Sequence, residues 1–306
     1  MGFTYALADF IDFQDKEACD QVRRITREEI TQHPNPDFRI RVIDGHGELF
    51  AALATDMVRN IKQALDEDRQ FVCILPVGPV EQYPIAARMI NELRIPMHHV
   101  HTFNMDEYAD EGGNSAPADW HCSFQKAMYV NFFDLIDEDL RPPASHIHFP
   151  TTDVLDHYDD TMEEVGGVDV CYGGIGWCGH IAFWESSLGH EFGDDLDSYM
   201  KAKSRLVTLT PMTIMQNALH SFGGDWSSVP PKANSIGPAA VMQARYRSFW
   251  LPYASLTGEE SWQRFIARLV AHGPVNTLVP GSILQTAPGD YVLVGGVAAN
   301  VEVGVS

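Results

Sequence analysis

The chain has 306 residues, of which 45% are hydrophobic and 21% are charged. This composition is ordinary for a globular protein and excludes the disordered, collagen-like and disulfide-scaffold classes. The 21 basic residues are outnumbered by 42 acidic residues, which gives a formal net charge of −21. Because that charge opposes binding to a phosphate backbone, we expect no nucleic-acid partner.

Three features of the sequence bear on its location. No run of about 20 apolar residues occurs, so no membrane partner is expected. The first residues include acids where a secretory signal would carry bases. The five cysteines are widely spaced without a CxxC pair, which argues against a disulfide framework and a thiolate zinc site. We therefore expect a cytoplasmic protein.

Residues 1–38 predict an N-terminal helical extension, because helix-favouring charged residues precede a break that contains prolines. The elements predicted next are helix 47–68, strand 71–77, helix 80–94, strand 97–104, helix 123–136, strand 146–150, helix 154–166 and strand 168–176. The second half predicts strands at 204–210, 239–244, 248–254 and 291–296 and a helix at 258–272. This alternation indicates one α/β domain over residues 39–306, a doubly wound, mainly parallel sheet with helices on both faces.

Two carboxylates follow one of the predicted strands. Ligands bind at the carboxyl ends of strands in open parallel sheets, and Asp106 and Glu107 come directly after strand 97–104. A carboxylate partly shielded from water suits a general base, because desolvation raises its pKa. The alternative is a capping aspartate at the start of a helix.

The segment GGIGWCGHIAFWE, residues 173–185, follows another predicted strand. Its glycines, including Gly174 and Gly176, allow the backbone to approach a ligand closely. His180 and Glu185 then supply groups that can exchange protons, although a plain strand-to-helix turn with an incidental histidine is the alternative. The glycines satisfy GxGxxG, but no acid ends a following strand about 20 residues later, so no cofactor is predicted.

Five histidines, at positions 98, 99, 101, 146 and 148, raise the alternative of a metal site. His99 and His101 share one face of a predicted strand, as do His146 and His148. Imidazole is a common zinc ligand, but no third ligand at a recognised spacing accompanies them. We predict no metal.

The motif FNMDEY, residues 103–108, followed about 70 residues later by GGIGxxGHIAFxE, resembles the glucosamine-6-phosphate deaminase family. That family shares its fold with 6-phosphogluconolactonases. The segments LPVG, NFFD and VPPKANSIG, which begin at residues 75, 131 and 229, extend the similarity. The resemblance implies a sugar aldose-ketose isomerase or deaminase that needs no organic cofactor and leaves a homo-oligomer open.

The resemblance also implies roles for individual residues. Asp106 would move a proton between C2 and C1 of an open-chain sugar, His180 would open the sugar ring, and Glu185 would support His180. The substrate-binding residues predicted on these motifs are Gly78, Glu81, Glu107, Gly174, Gly176, Cys178 and Lys232.

The sequence departs from the family pattern where the family binds phosphate. Residues 79–81 are Pro-Val-Glu in place of hydroxyl donors, and neither 211–222 nor 253–262 contains a lysine or arginine. A glutamate repels a phosphate dianion. Arg245 and Arg247 could replace the missing cations or could be solvated surface residues. We therefore predict an unphosphorylated amino sugar or related sugar, or a sugar whose anion is bound elsewhere.

A second departure lies beside His180. Cys178 occupies the position of an aspartate in the family. Because a thiol is usually neutral at pH 7 and hydrogen-bonds weakly, it would give His180 less electrostatic support. Two alternative functions therefore stay open, a catalytically weakened sugar-binding sensor and a lactone hydrolase.

Overall fold

The computed structural model describes residues 3–255 and 260–304. The strands are β1 (Phe38–Ile43), β2 (Phe71–Leu75), β3 (Val100–Asn104), β4 (Asp106–Ala109), β5 (Ile147–His148), β6 (Val170–Gly173), β7 (Arg205–Thr208), β8 (Lys232–Ser235), β9 (Tyr246–Leu251) and β10 (Gly289–Val294). The helices are α1 (Lys16–Arg23), α2 (His46–Asp66), α3 (Gln82–Leu93), α4 (Phe124–Asn131), α5 (Tyr158–Glu164), α6 (Leu196–Tyr199), α7 (Pro211–Ser221), α8 (Pro238–Gln243), α9 (Gln263–His272) and α10 (Gly295–Ala298).

A seven-stranded parallel sheet forms the centre of the fold, in the order β1-β10-β9-β6-β2-β3-β5. Strand β2 is buried along its whole length and reads FVCIL, as expected for a parallel strand covered on both faces. The chain adds β3 and β5 on one side of β2, and β6, β9 and β10 on the other. The direction of winding therefore reverses between β2 and β6, where the carboxyl ends of the strands form a crevice.

The longest helix packs through the apolar stripe that the sequence predicted. Leu49, Leu53, Met57 and Ile61 of α2 are buried, at the three- and four-residue spacing of one helix face. Helix α2 contacts β2 and α3, so this stripe covers the sheet beside the crevice.

A second, antiparallel sheet of three strands, in the order β4-β8-β7, was not predicted. It joins the large sheet at Met105, whose N–H donates to Leu75 O at 3.0 Å and whose carbonyl accepts from Ile236 N at 2.9 Å. Asp106 is the next residue and pairs with Ser235. The small sheet thereby holds Asp106 at the carboxyl edge of the large one.

The strand predicted at 239–244 is wrong, because these residues form most of α8. Pro238 occupies the first helical turn, where its fixed φ favours a helix, and Ala239, Ala240 and Val241 are buried. A short apolar run buried in this way does not reveal its own period, so the pattern could not separate strand from helix.

Strand β1 was also missed, because the predicted extension ended at its first residue. Its buried Phe38 and Ile40 alternate with exposed Arg39 and Arg41, the pattern of a half-buried strand. The period-two signal was therefore present in the sequence.

The N-terminal segment packs on the main core. Val22 and Ile30 are buried within the large hydrophobic cluster, and Arg268 of α9 donates to Ile25 O at 2.7 Å. Within residues 3–37, which the structure describes, only α1 is α-helical. This segment is thus less helical than predicted.

The predicted helix 258–272 begins partly outside the described residues, which omit 256–259, and its described part contains α9. No helix in the described ranges combines the length and apolar character needed to cross a membrane.

Candidate active site

A cavity of about 420 Å³ lies at the carboxyl ends of β2 and β6. It is lined by the segments that follow β2, β3, β6 and β9 and by parts of α4 and α7. The titratable side chains of its described lining include no lysine or arginine. The acids and histidines of that lining are Glu81, Asp106, His121, His180 and His220.

Asp106 is a buried carboxyl group on the cavity wall. The residue is 7% exposed, and its Oδ1 has no hydrogen-bond partner among the described residues. Burial, with a smaller contribution from the adjacent Glu107, raises the pKa of Asp106 well above its ordinary value. The carboxylate therefore gains basicity, as a proton-accepting group in a cavity requires.

Glu107 does not line the cavity, so the predicted substrate contact is not retained. Its carboxylate accepts hydrogen bonds from Phe124 N at 3.0 Å, Gln125 N at 2.9 Å and Ser123 Oγ at 2.9 Å. These donors are at the N-terminus of α4, whose unsatisfied N–H groups favour a negative charge. Glu107 fixes the helix that forms one wall.

His180 lines the cavity and is held from behind by two side chains. Its Nδ1 lies 3.2 Å from Cys178 Sγ and 3.1 Å from Thr213 Oγ1. Its Nε2 has no hydrogen bond to a described residue, and the ring packs directly on Gly176, where a Cβ would overlap it. Burial lowers the pKa of His180, and Glu185 partly opposes that shift. The imidazole is therefore predominantly neutral near pH 7.

Cys178 connects His180 to Glu185. Burial, and then the charge of Glu185, raises the pKa of the Cys178 thiol, so the thiol stays protonated. Its S–H donates a hydrogen bond to Glu185 Oε2, with an S···O distance of 3.3 Å. The sulfur can then accept from His180 Nδ1–H, which leaves a lone pair on Nε2. Glu185 is fully buried and also accepts from Thr210 N at 2.9 Å and Thr210 Oγ1 at 3.0 Å. This chain of bonds sets the imidazole tautomer.

The structure brings six of the predicted residues to one cavity and leaves four outside its lining. Those at the cavity are Gly78, Glu81, Asp106, Gly174, Gly176 and His180. Those outside the lining are Glu107, Cys178, Glu185 and Lys232. Lys232 pairs with Ala109 and Thr208, three residues along β8 from Ser235, the partner of Asp106. That offset corresponds to about 10 Å of strand, so Lys232 is not retained as a substrate contact.

Arg245 and Arg247 do not replace the missing cations. Neither lines the cavity. Arg245 forms an ion pair with Asp169, and Arg247 is buried and donates to Val241 O at 3.1 Å. Arg247 is therefore neither a phosphate ligand nor the solvated surface residue of the alternative interpretation.

Within the described residues, His99, His101, His146 and His148 do not form a group of three or more metal ligands. The rings of His101 and His146 stack, with centroids 3.8 Å apart. Among the described residues, the only set of three metal-binding side chains with donor atoms within 4.8 Å of one another is Cys178, His180 and Glu185. These three are hydrogen-bonded to one another through the thiol, as described above.

The unpredicted residues of the cavity lining include Tyr253 and His220. Tyr253 follows β9 and His220 lies near the end of α7, and both line the cavity. Tyr253 could have been found, because it directly follows a predicted strand and the rule for strand ends applies to it. Nothing local distinguishes His220 from a surface histidine on a helix.

The fold is shared with a glucosamine-6-phosphate deaminase and with 6-phosphogluconolactonases. A monomeric glucosamine-6-phosphate deaminase, described as a missing link of the NagB superfamily, superposes with a TM-score of 0.69 and 22% identity, covering 85% of this chain and 98% of that one. The 6-phosphogluconolactonase of Trypanosoma cruzi gives a TM-score of 0.61 at 14% identity, covering 87% of this chain and 98% of that one. The molecule is thus an α/β protein of the class that includes both groups.

Sequence relatives show to which family within that class the chain belongs. Glucosamine-6-phosphate deaminase 2 of Mus musculus is 34% identical over 215 residues, which cover 68% of this chain and 71% of the relative. The glucosamine-6-phosphate deaminase of Porphyromonas gingivalis is 34% identical over 212 residues, covering 67% and 74%. The chain belongs to the glucosamine-6-phosphate deaminase family.

The similarity is confined to part of each protein. The match to the glucosamine-6-phosphate deaminase of Caenorhabditis elegans, 35% identical, spans 66% of that relative, and the match to that of Mannheimia succiniciproducens, 32% identical, spans 62%. Both spans are less than two thirds of the relative's length. A scan against protein-family models finds no match.

Proposed function

We propose that the protein isomerises and deaminates an unphosphorylated 2-amino sugar. The observation that supports this proposal is a single cavity that contains both Asp106 and His180 but no lysine or arginine in its described lining. A phosphate dianion is usually bound by cationic side chains or several N–H donors. Glu81 and Asp106 instead favour a positively charged ligand, and a free amino sugar carries an ammonium group.

His180 performs ring opening in this proposal. Its unprotonated Nε2 accepts the proton of the anomeric hydroxyl group, and the resulting imidazolium returns a proton to the ring oxygen as the C1–O bond to that oxygen breaks. The Nδ1 proton stays on the side of Cys178 and Thr213. These two and Glu185 act as positioning residues behind the imidazole.

Asp106 transfers the proton between carbons. Burial raises its pKa, which makes the carboxylate a stronger base. An ammonium group bound nearby favours the ionised form of this carboxylate. The carboxylate then removes the proton from C2 and delivers it to C1 of the enolamine. Water adds to the resulting C2 imine and ammonia leaves, so one amino sugar and one water give one ketose and one ammonia.

Substrate comparison tests this function. We expect glucosamine to give fructose and ammonia with a kcat/KM at least about 10-fold above that for glucosamine 6-phosphate, because Glu81 repels the dianion. The assay measures both products, ammonia and the ketose. A preference for the phosphate would refute the unphosphorylated substrate. An acid formed from a lactone would indicate the lactone hydrolase, and binding of glucosamine without product would indicate the sensor.

Replacing Cys178 with aspartate should strengthen the support of His180. A carboxylate beside Nδ1 favours the imidazolium form, so we expect the pKa of His180 to rise. Because the histidine then titrates closer to neutral pH, turnover of glucosamine should also rise. An NMR titration of the His180 ring and steady-state kinetics measure the two effects.

Cys178→Ser is the matched control for that variant. A hydroxyl group keeps one donor and one acceptor but adds no charge, so the pKa of His180 should stay near that of the original protein. A fall in the activity of Cys178→Asp, with Cys178→Ser unchanged, would mean that the neutral thiol suits a different substrate.

A further inference from the structure

Tyr253 and Asp106 enter the cavity from the ends of different strands of the large sheet. Tyr253 follows β9 and Asp106 follows β3, and the order β9-β6-β2-β3 places two strands between them. Three strand spacings separate the two strand ends by about 14 Å. Both residues line the same cavity, so a hexose with C1 and C2 at Asp106 would extend toward Tyr253.

Beside Tyr253, the tautomer of His220 is fixed by a tryptophan. Trp262 Nε1 donates to His220 Nε2 at 2.9 Å, and an indole N–H can only donate. His220 Nε2 therefore carries the lone pair and Nδ1 carries the hydrogen in the neutral ring. The residue is exposed, and partial desolvation of its ring against Tyr253 and Trp262 lowers the pKa of His220 below 6.5, so the neutral ring predominates at pH 7. No described residue accepts from Nδ1–H, so it remains available to a ligand.

Tyr253 supplies a second neutral group in a fixed position. Its N–H donates to Gln263 Oε1 at 2.9 Å and its carbonyl accepts from Ser261 Oγ at 2.6 Å. Its ring stacks on His220 with centroids 4.3 Å apart. Its hydroxyl lies close above Gly78, where an added Cβ would be 3.2 Å away and φ is +112°. A glycine at residue 78 therefore leaves space for the tyrosine.

Glu81 adds an acceptor to the same end of the cavity. The residue is exposed, and its carboxylate accepts only from Val80 N, at 3.0 Å, among the described residues. An N–H donor, a phenol and a carboxylate together match a hydroxyl group, which both donates and accepts. They do not match a phosphate dianion, which only accepts and is repelled by the carboxylate.

We propose that His220, Tyr253 and Glu81 form a recognition site for a free hydroxyl group on carbon 6 of a 2-amino hexose. His220 Nδ1–H and the Tyr253 hydroxyl donate to the sugar oxygen, and Glu81 accepts the sugar's hydroxyl proton. Trp262 acts as a positioning residue through the tautomer of His220. The inference rests on the proposed function, because that function places C1 and C2 at Asp106.

Ligands that cannot react test the site separately from catalysis. We would measure, by calorimetry on the full chain, binding of 2-amino-2-deoxyglucitol, its 6-deoxy analogue and its 6-phosphate. We expect the phosphate to bind at least about 10-fold more weakly than the free alcohol. Tyr253→Phe should weaken binding of the free alcohol by about 5-fold, the loss expected for one neutral hydrogen bond, and leave the 6-deoxy analogue unchanged.

Two further variants test the roles of Trp262 and Glu81 in the site. Trp262→Phe should act in the same direction as Tyr253→Phe, and Glu81→Gln should raise affinity for the 6-phosphate several-fold. The control is Tyr246→Phe, which removes a hydroxyl group bonded to Arg39 outside the cavity lining and should change none of the affinities. Equal weakening of the alcohol and the 6-deoxy analogue by Tyr253→Phe, or tight binding of the phosphate, would overturn the hydroxyl site.

The two proposals fail in different ways. If binding follows the expected pattern but glucosamine gives no ammonia, the hydroxyl site stands and the proposed reaction is wrong. If glucosamine is deaminated but Tyr253→Phe binds all three ligands as the original protein does, the reaction stands and the hydroxyl site is wrong.

Discussion

Asp106→Asn is expected to slow exchange of the C2 proton of a bound amino sugar by about 10²- to 10⁴-fold, the contribution of a positioned acid or base. Asparagine keeps the volume of the side chain but cannot accept the proton. Because Oδ1 of Asp106 has no partner among the described residues, the substitution disturbs no known hydrogen bond of that atom. Deuterium incorporation from D₂O into the sugar, followed by NMR, measures the exchange.

The stability of Asp106→Asn shows whether the substitution affects the fold as well as the reaction. A carboxyl group whose folded pKa is raised above 3.8 destabilises the fold as pH rises past that value, because the unfolded chain releases the proton first. The variant should therefore be at least as stable as the original protein at pH 7. Asp66→Asn, which alters an exposed carboxylate on α2 paired with Lys62, is the matched control. Undiminished exchange in Asp106→Asn would exclude Asp106 as the base.

Gly176→Ala is expected to reduce turnover of glucosamine by at least about 100-fold, within the range that an acid-base group contributes. The added methyl group would overlap the His180 ring. His180 is 4% exposed and its Nδ1 contacts Cys178 and Thr213, so the ring can move only by losing those contacts. Overpacking of this kind costs about 1–3 kcal/mol of stability, which a thermal melt would detect.

A double variant tests whether the methyl group acts through His180. If it does, Gly176→Ala should reduce activity little further when His180→Ala is already present, because both changes remove the same group. Gly47→Ala, which adds a methyl group with no atom within 4 Å, should leave turnover unchanged. Normal turnover by Gly176→Ala would show that His180 need not occupy its observed position.

The sequence predicted the large sheet better than the small one. Strand β2 is an apolar run bounded by turn residues, and α2 carries a helical stripe of buried side chains, so both were evident from the sequence pattern. Strands β4 and β8 are only four residues each, at Asp106–Ala109 and Lys232–Ser235, and both contain polar residues that are buried. These strands lack a hydrophobic pattern in the sequence, because the burial of their polar residues depends on partners that are distant in the chain.

Glu107 was predicted to contact the substrate, but it does not line the cavity. The direction of adjacent side chains on a strand explains the difference. Successive residues of a strand point to opposite faces, so Asp106 and Glu107 cannot both face the same cavity. The sequence offered two equivalent carboxylates, and the pairing of β4 with β8 decided between them. Glu107 then meets the start of α4, a contact that depends on how the chain returns after residue 109.

By itself, the sequence determined the α/β class, most elements of the parallel sheet and the motifs that carry Asp106 and His180. It also showed that hydroxyl donors are replaced after β2 and that no lysine or arginine occurs in 211–222 or 253–262. These properties are local, since they follow from hydrophobic period, strand ends and residue type. Only the tertiary structure decided that Cys178 and Thr213 contact His180 and that Trp262 fixes the tautomer of His220. Such contacts depend on distances of about 3 Å between residues that are mostly far apart in the chain, and no local pattern specifies them.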